Sequence, residues 1–142
     1  MKRILLPALL TLSLVLAACS GESSSPSNDS AMRIDEQGEI IFEITPLNLD
    51  SPTETFEFNV DMSTHSIELS MDLATLATLT TDTGASVQAT LWDAPRSGHH
   101  VEGKLTFPAT QDGKPIREGA KQLTLTIINV DAPTRIFEWE LK

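Results

Sequence analysis

The sequence predicts an all-β fold, an antiparallel β-sandwich of about seven to eight short strands, on three observations. Apolar and polar residues alternate with period two in successive runs from about residue 33 onward. Turn formers separate the runs at short intervals. The one stretch with helical spacing, Leu73, Leu76 and Leu79, is short and Thr-rich. A run with one apolar and one polar face is what a half-buried antiparallel strand requires.

The elements follow in order. Glu39 to Ile44 is a weakly patterned first strand. Phe56, Phe58, Val60 and Met62 alternate with Glu57, Asn59 and Asp61, and Ile67, Leu69 and Met71 alternate with Glu68 and Ser70. Leu73 to Leu79 reads as a turn or a single helical turn leading into a strand at Leu76 to Thr80. Val87, Ala89 and Leu91 then share a face, as do Leu105 and Phe107. Leu123, Leu125 and Ile127 make the next strand, and Phe137, Trp139 and Leu141 the last. Between them lie Asp50-Ser51-Pro52, Asp82-Thr83-Gly84, Pro95-Arg96-Ser97-Gly98, Asp112-Gly113-Lys114-Pro115 and Asp131-Ala132-Pro133, residues that supply turn dihedrals. This strand number and spacing over residues 33–142 point to a sandwich of immunoglobulin or fibronectin type. Trp92 and Trp139 fall on apolar faces and read as core anchors, and Met62 and Met71 as gap fillers.

The first 18 residues are of another kind. Lys2 and Arg3 precede an apolar stretch, Ile4 to Leu16, which ends in the small residues Ala17 and Ala18. That order of charge, apolar core and small residues is a secretory signal. The apolar run is shorter than the roughly 18–20 residues a bilayer span needs. The adjoining Leu16-Ala17-Ala18-Cys19 resembles the lipobox of bacterial lipoproteins. The resemblance covers this N-terminal segment alone. It implies removal of residues 1–18, a diacylglycerol thioether on Cys19 and acylation of the new amino terminus. Ser20 follows Cys19, and the absence of Asp there implies the outer membrane, with the body in the periplasm or at the cell surface. Two or more acyl chains anchor stably where one does not, since each buried methylene contributes about 0.8 kcal/mol.

Cys19 is the sole cysteine, so no internal disulfide forms, and the body lacks thiolate metal sites and cysteine nucleophiles. Residues 19–32 form a Ser-rich polar tether before the body. Twelve such residues span about 20 Å as a flexible chain. Twenty acidic residues face ten basic ones, and Lys2 and Arg3 fall in the leader, which leaves a net charge near −12. That charge repels phosphates and anionic headgroups and excludes nucleic-acid binding as a function class.

The sequence contains no Gly-x-Ser-x-Gly elbow, His-Glu-x-x-His, phosphate loop or dinucleotide fingerprint. No catalytic residue is assigned. The candidate chemistry lies in the histidines, His65 in Thr64-His65-Ser66 and the pair in Gly98-His99-His100. By strand parity His65 and His99 face inward and His100 outward. In one reading His65 and His99 are neutral and tie turns to the sandwich by hydrogen bonds. In the other, the imidazoles converge and bind copper or zinc, with Asp93 or Glu102 completing the site. Joint ligation by His99 and His100 then requires a bend at Gly98. The expected function is a lipid-anchored envelope module that binds a protein or polymer partner, with a metal-binding accessory role as the alternative.

Overall fold

The computed structural model describes residues 31–142. The expected leader (1–18), Cys19 and all but the last two residues of the expected tether (19–32) lie outside them. The described residues form eleven strands: β1 (Arg33–Asp35), β2 (Ile41–Pro46), β3 (Thr55–Ser63), β4 (Ala77–Thr81), β5 (Ser86–Gln88), β6 (Leu91–Asp93), β7 (His100–Pro108), β8 (Thr110–Gln111), β9 (Lys114–Pro115), β10 (Gln122–Ile128) and β11 (Thr134–Glu140). One sheet has the order β1-β2-β3-β7-β6 and the other β11-β10-β4-β5, with β8 and β9 as a separate hairpin. Every pairing is antiparallel.

With β1 and the β8–β9 hairpin set aside, two four-stranded sheets remain with Greek-key connections. In immunoglobulin lettering β2, β3, β7 and β6 occupy A, B, E and D, and β11, β10, β4 and β5 occupy G, F, C and C′. The all-β sandwich of immunoglobulin type is therefore the fold. The strand count exceeds seven to eight because β1, β8 and β9 are too short to carry a period.

Alternation builds the core. Phe56, Phe58, Val60 and Met62 of β3 are all buried, as are Leu123, Leu125 and Ile127 of β10. Phe58 lies 5.8 Å from Phe107, edge to face, and 5.2 Å from Trp139. Trp92 and Trp139 are core residues, whereas Met71 only packs against the core from the side. Asp112 (φ 53°) and Gly113 (φ 77°) supply the two left-handed residues of the β8–β9 turn.

Two runs depart from the expectation. Residues 67–71 form no strand. The inward series of β3 continues to Thr64, the chain bends at His65 and Ser66, and the segment then lies across the end of the sandwich. Leu69 is buried there, and its N–H goes to Gly98 O at 2.9 Å. Alternate residues of a segment laid on a core also alternate in burial, without any strand partner. The run Val87 to Leu91 is broken as well. Ala89 N–H bonds to Ala77 O (3.1 Å) in one sheet, and Thr90 N–H to Thr106 O (2.8 Å) in the other. The chain thus changes sheets between these residues and its phase flips, leaving Leu91 exposed and Trp92 inside.

That crossing closes one side of the sandwich. On the other side β1 lies against β11, where Arg33 Nε donates to Glu138 O (2.9 Å) and Gln37 Nε2 to Thr134 O (3.4 Å). Both long sides are covered, so the exposed irregular structure collects at the two ends.

Candidate functional site

One end of the sandwich carries the segments 36–40, 64–72, 94–99 and 129–133, and all three histidines sit at or beside them. Ala31, the segment 47–51 and Lys142 lie together at the opposite end. The nine-residue strands β3 and β7 run between the two ends, a length of about 30 Å.

Register brings the two histidine segments side by side. His100 pairs with Ser63 across β3 and β7, and Thr64 N–H donates to His99 O at 2.9 Å. Leu69 N–H donates to Gly98 O, and Gly98 N–H to Glu68 Oε1 (3.1 Å). Gly98 has φ 112°, a conformation that side chains rarely adopt. Arg96 Nη2 lies 2.7 Å from Asp72 Oδ2, and Asp72 also accepts from Ala74 N–H (3.1 Å) to start the short 3₁₀ turn Leu73–Thr75. The two segments are therefore held to each other by main-chain bonds, with side-chain pairs at the margin.

His65 and His99 do not face inward as parity suggested; both are exposed. The inward place after Met62 goes to Thr64, and the expected strand that put His65 in phase with Ile67 does not form. His99 precedes the first residue of β7, where bends have already ended the pleat. His100 points outward as expected, with Nε2 3.5 Å from Asp61 Oδ2. Asp61 stands in a row with Glu43 and Glu102 on three neighbouring strands. Partial burial raises the Asp61 carboxyl above the usual range; His100 opposes this and Glu102 adds to it.

Of the other expected ligands, Glu102 accepts from Asn59 Nδ2 (2.9 Å), and Asp93 is exposed on β6. Among the described residues no three His, Cys, Asp or Glu side chains are grouped so as to hold a metal ion. A surface groove of about 760 Å³ lies at the opposite end and is lined by Arg33, Leu47, Asn48, Trp139, Glu140 and Lys142 among others, with no histidine. Among the described residues no helix is long and apolar enough to cross a membrane.

One site went unread in the sequence. Arg135 is fully buried and shares the odd-numbered inward parity of Phe137 and Trp139. Its Nε donates to Val130 O (3.1 Å), Nη1 pairs with the Asp35 carboxylate, and Nη2 donates to Gln37 O (2.5 Å). Its guanidinium carbon sits 4.7 Å from the centre of the Phe42 ring. Continuing the β11 parity back by one step would have located it, but not its partners.

Compared with protein-family models and with curated proteins, the sequence matches none. Among solved structures, the fold is similar to that of a DUF4426 family protein from Pseudomonas aeruginosa PAO1, at 10% sequence identity and a TM-score of 0.44, covering 78% of this chain and 92% of that one.

Proposed function

We propose that the chain is a lipid-anchored binding module of the bacterial cell envelope. Cys19 carries the lipid, the outer membrane is the membrane anchored, and the end bearing segments 64–72 and 94–99 meets a protein or polymer partner. The observation that carries this reading is the pinning of those two segments to each other by main-chain bonds, at the end remote from Ala31. A surface ordered before binding loses less entropy when a partner docks. The signal pattern and the lipobox support the anchor.

Two arms test the reading. Labelled palmitate should enter the wild-type chain and not Cys19→Ala, and the protein should fractionate with membranes only in the former. A photo-crosslinker at Ser66 or Ser97 should trap a partner in intact cells, while one at Glu140 should not. Trapping from Glu140 alone would overturn the assignment of the binding end.

A second reading, copper or zinc held by His65, His99 and His100, rests on the adjacency of the two histidine segments. It requires the exposed imidazoles to rotate toward one another. A calorimetric titration of the full chain, beside a variant with all three changed to alanine, decides it. Stoichiometric binding lost in the variant supports it, and no binding by the folded wild type removes it.

A further inference from the structure

A strand of three residues at the edge of a sheet ordinarily frays, because few bonds hold it and its opening exposes little. Strand β1 is such a strand, paired with β2 only through Arg33, Ile34 and Asp35. Its surroundings are unusual. Among the described residues Arg135 is the one buried charged side chain, and two of its three hydrogen-bond partners belong to β1 or the turn after it: the Asp35 carboxylate and Gln37 O. The third, Val130 O, is one that a lone guanidinium would keep. If β1 lifts, Arg135 loses its counter-ion while Phe42 and the β10–β11 connection still bury it. Stranding a buried charge is strongly unfavourable, whereas an apolar residue of similar volume fills the same space without that penalty. What the arginine adds is a condition: β1 stays, or the structure around Arg135 opens with it.

Further ties run the length of the segment. Trp139 Nε1 donates to Ala31 O (2.6 Å), and Arg33 stacks 5.8 Å from the centre of the Trp139 ring. Asp131, from the β10–β11 connection, accepts the N–H groups of Glu39 and Ile40 beyond the turn. These contacts join the first strand to the last across the edge where the two sheets would otherwise part.

We propose that β1 is an all-or-none latch, keyed by Arg135, which fixes the point where the chain enters the body and covers the edge of β11. Its value in the cell rests on the anchored reading, because a pull through the tether acts on β1 before any other strand. Its existence does not rest on that reading, and failure of the experiment below leaves the anchor untouched.

Hydrogen exchange of the full chain, read by mass spectrometry on peptides covering residues 32–36 and 55–63, tests the latch. In the wild type the β1 peptide should exchange within about tenfold of the β3 peptide, and both should accelerate together as urea is added. A β1 peptide that exchanges at loop rates, or whose exchange ignores urea while β3 responds, overturns the proposal. Arg135→Met removes the charge that opening would strand. It should free β1 to exchange about 100-fold faster while β3 stays protected. Unchanged β1 protection in that variant assigns the hold to the other contacts and also overturns the proposal. If Arg135→Met fails to fold, the wild-type urea series alone decides.

Discussion

Gly103 offers a test of how the histidine-bearing hairpin is seated. It lies on β7 with the inward parity of Val101 and Leu105, where a core side chain would be expected. A Cβ built there would stand 2.3 Å from Ala94 Cβ, 2.4 Å from Asp93 O and 3.0 Å from Ala94 Cα. Carbon atoms in contact ordinarily sit about 3.5–4.0 Å apart, so Gly103→Ala must push the exit of β6 back by more than 1 Å. Overpacking of this kind costs about 1–3 kcal/mol. The smaller unfolded-state entropy of alanine returns about 0.5–1 kcal/mol. With two contacts below 2.5 Å the overpacking falls in the upper half of its range, about 2–3 kcal/mol. The net expectation is therefore a loss of about 1–2.5 kcal/mol, read by urea unfolding of the full chain with tryptophan fluorescence. Ala94→Gly in the same chain removes the Cβ clash but leaves the Asp93 carbonyl, so it should restore only part. The push also falls on the Trp92–Leu105 and Asp93–Lys104 pairings, so the Leu69 amide, bonded to Gly98 O, should lose exchange protection. A Gly103→Ala chain within 0.5 kcal/mol of wild type, with Leu69 still protected, would refute the close approach.

Phe58→Ala removes the ring between Phe107 and Trp139 and should cost about 3–5 kcal/mol in the same unfolding assay. For Asp35, burial works to raise the carboxyl, but hydrogen bonds from Gln37 and the Arg135 charge outweigh it and hold it below the usual range. Its contribution is therefore present above the unfolded-state value near 4 and disappears as pH falls through the lower folded value. Asp35→Asn should cost about 3 kcal/mol at pH 7, a gap that narrows in acid. Asp61 behaves in the opposite sense. Its raised carboxyl means that the charged form costs stability at neutral pH, a cost relieved as pH falls. Asp61→Asn should be neutral or stabilising by up to about 0.5 kcal/mol at pH 7, with the difference gone below about pH 4.

The strands most plainly legible in the sequence are long ones whose inward residues all reach the core. β3 and β10 are interior strands with seven or more residues, and each shows an unbroken inward series. Their alternation is imposed by the core beneath them and survives as a pattern of Phe, Val, Leu and Ile. Short edge elements carry no such series. β1 has one apolar residue, Ile34, and it points outward. The chain crosses between sheets at Ala89 and Thr90 with no glycine or proline to mark it, so the parity of Val87 gave the wrong face for Leu91. Ile67 to Met71 shows the converse fault. Period two reports that alternate residues meet an apolar surface, and a segment lying flat on the end of a sandwich satisfies that without a ladder.

The histidines expose the same boundary from the functional side. That His100 faces outward followed from its place in β7, because the pleat fixes alternate faces. That His99 lies beside Thr64 did not follow, since it depends on the Ser63–His100 register, and register is set by the whole inward series of β3 matching that of β7. Once the register is known, His100 and the carboxylate row Glu43–Asp61–Glu102 turn out to be neighbours by consequence: a register that buries Val60, Met62 and Val101 must bring Asp61, Glu102 and His100 together on the opposite face. Their adjacency is thus fully accounted for by the packing of the core. Any function assigned to this group has to rest on something packing does not require. The Leu69 N–H bond to Gly98 O meets that standard better: the Thr64–His99 bond only continues the β3–β7 ladder by one step, whereas nothing in the sheets obliges Leu69 and Gly98 to bond each other.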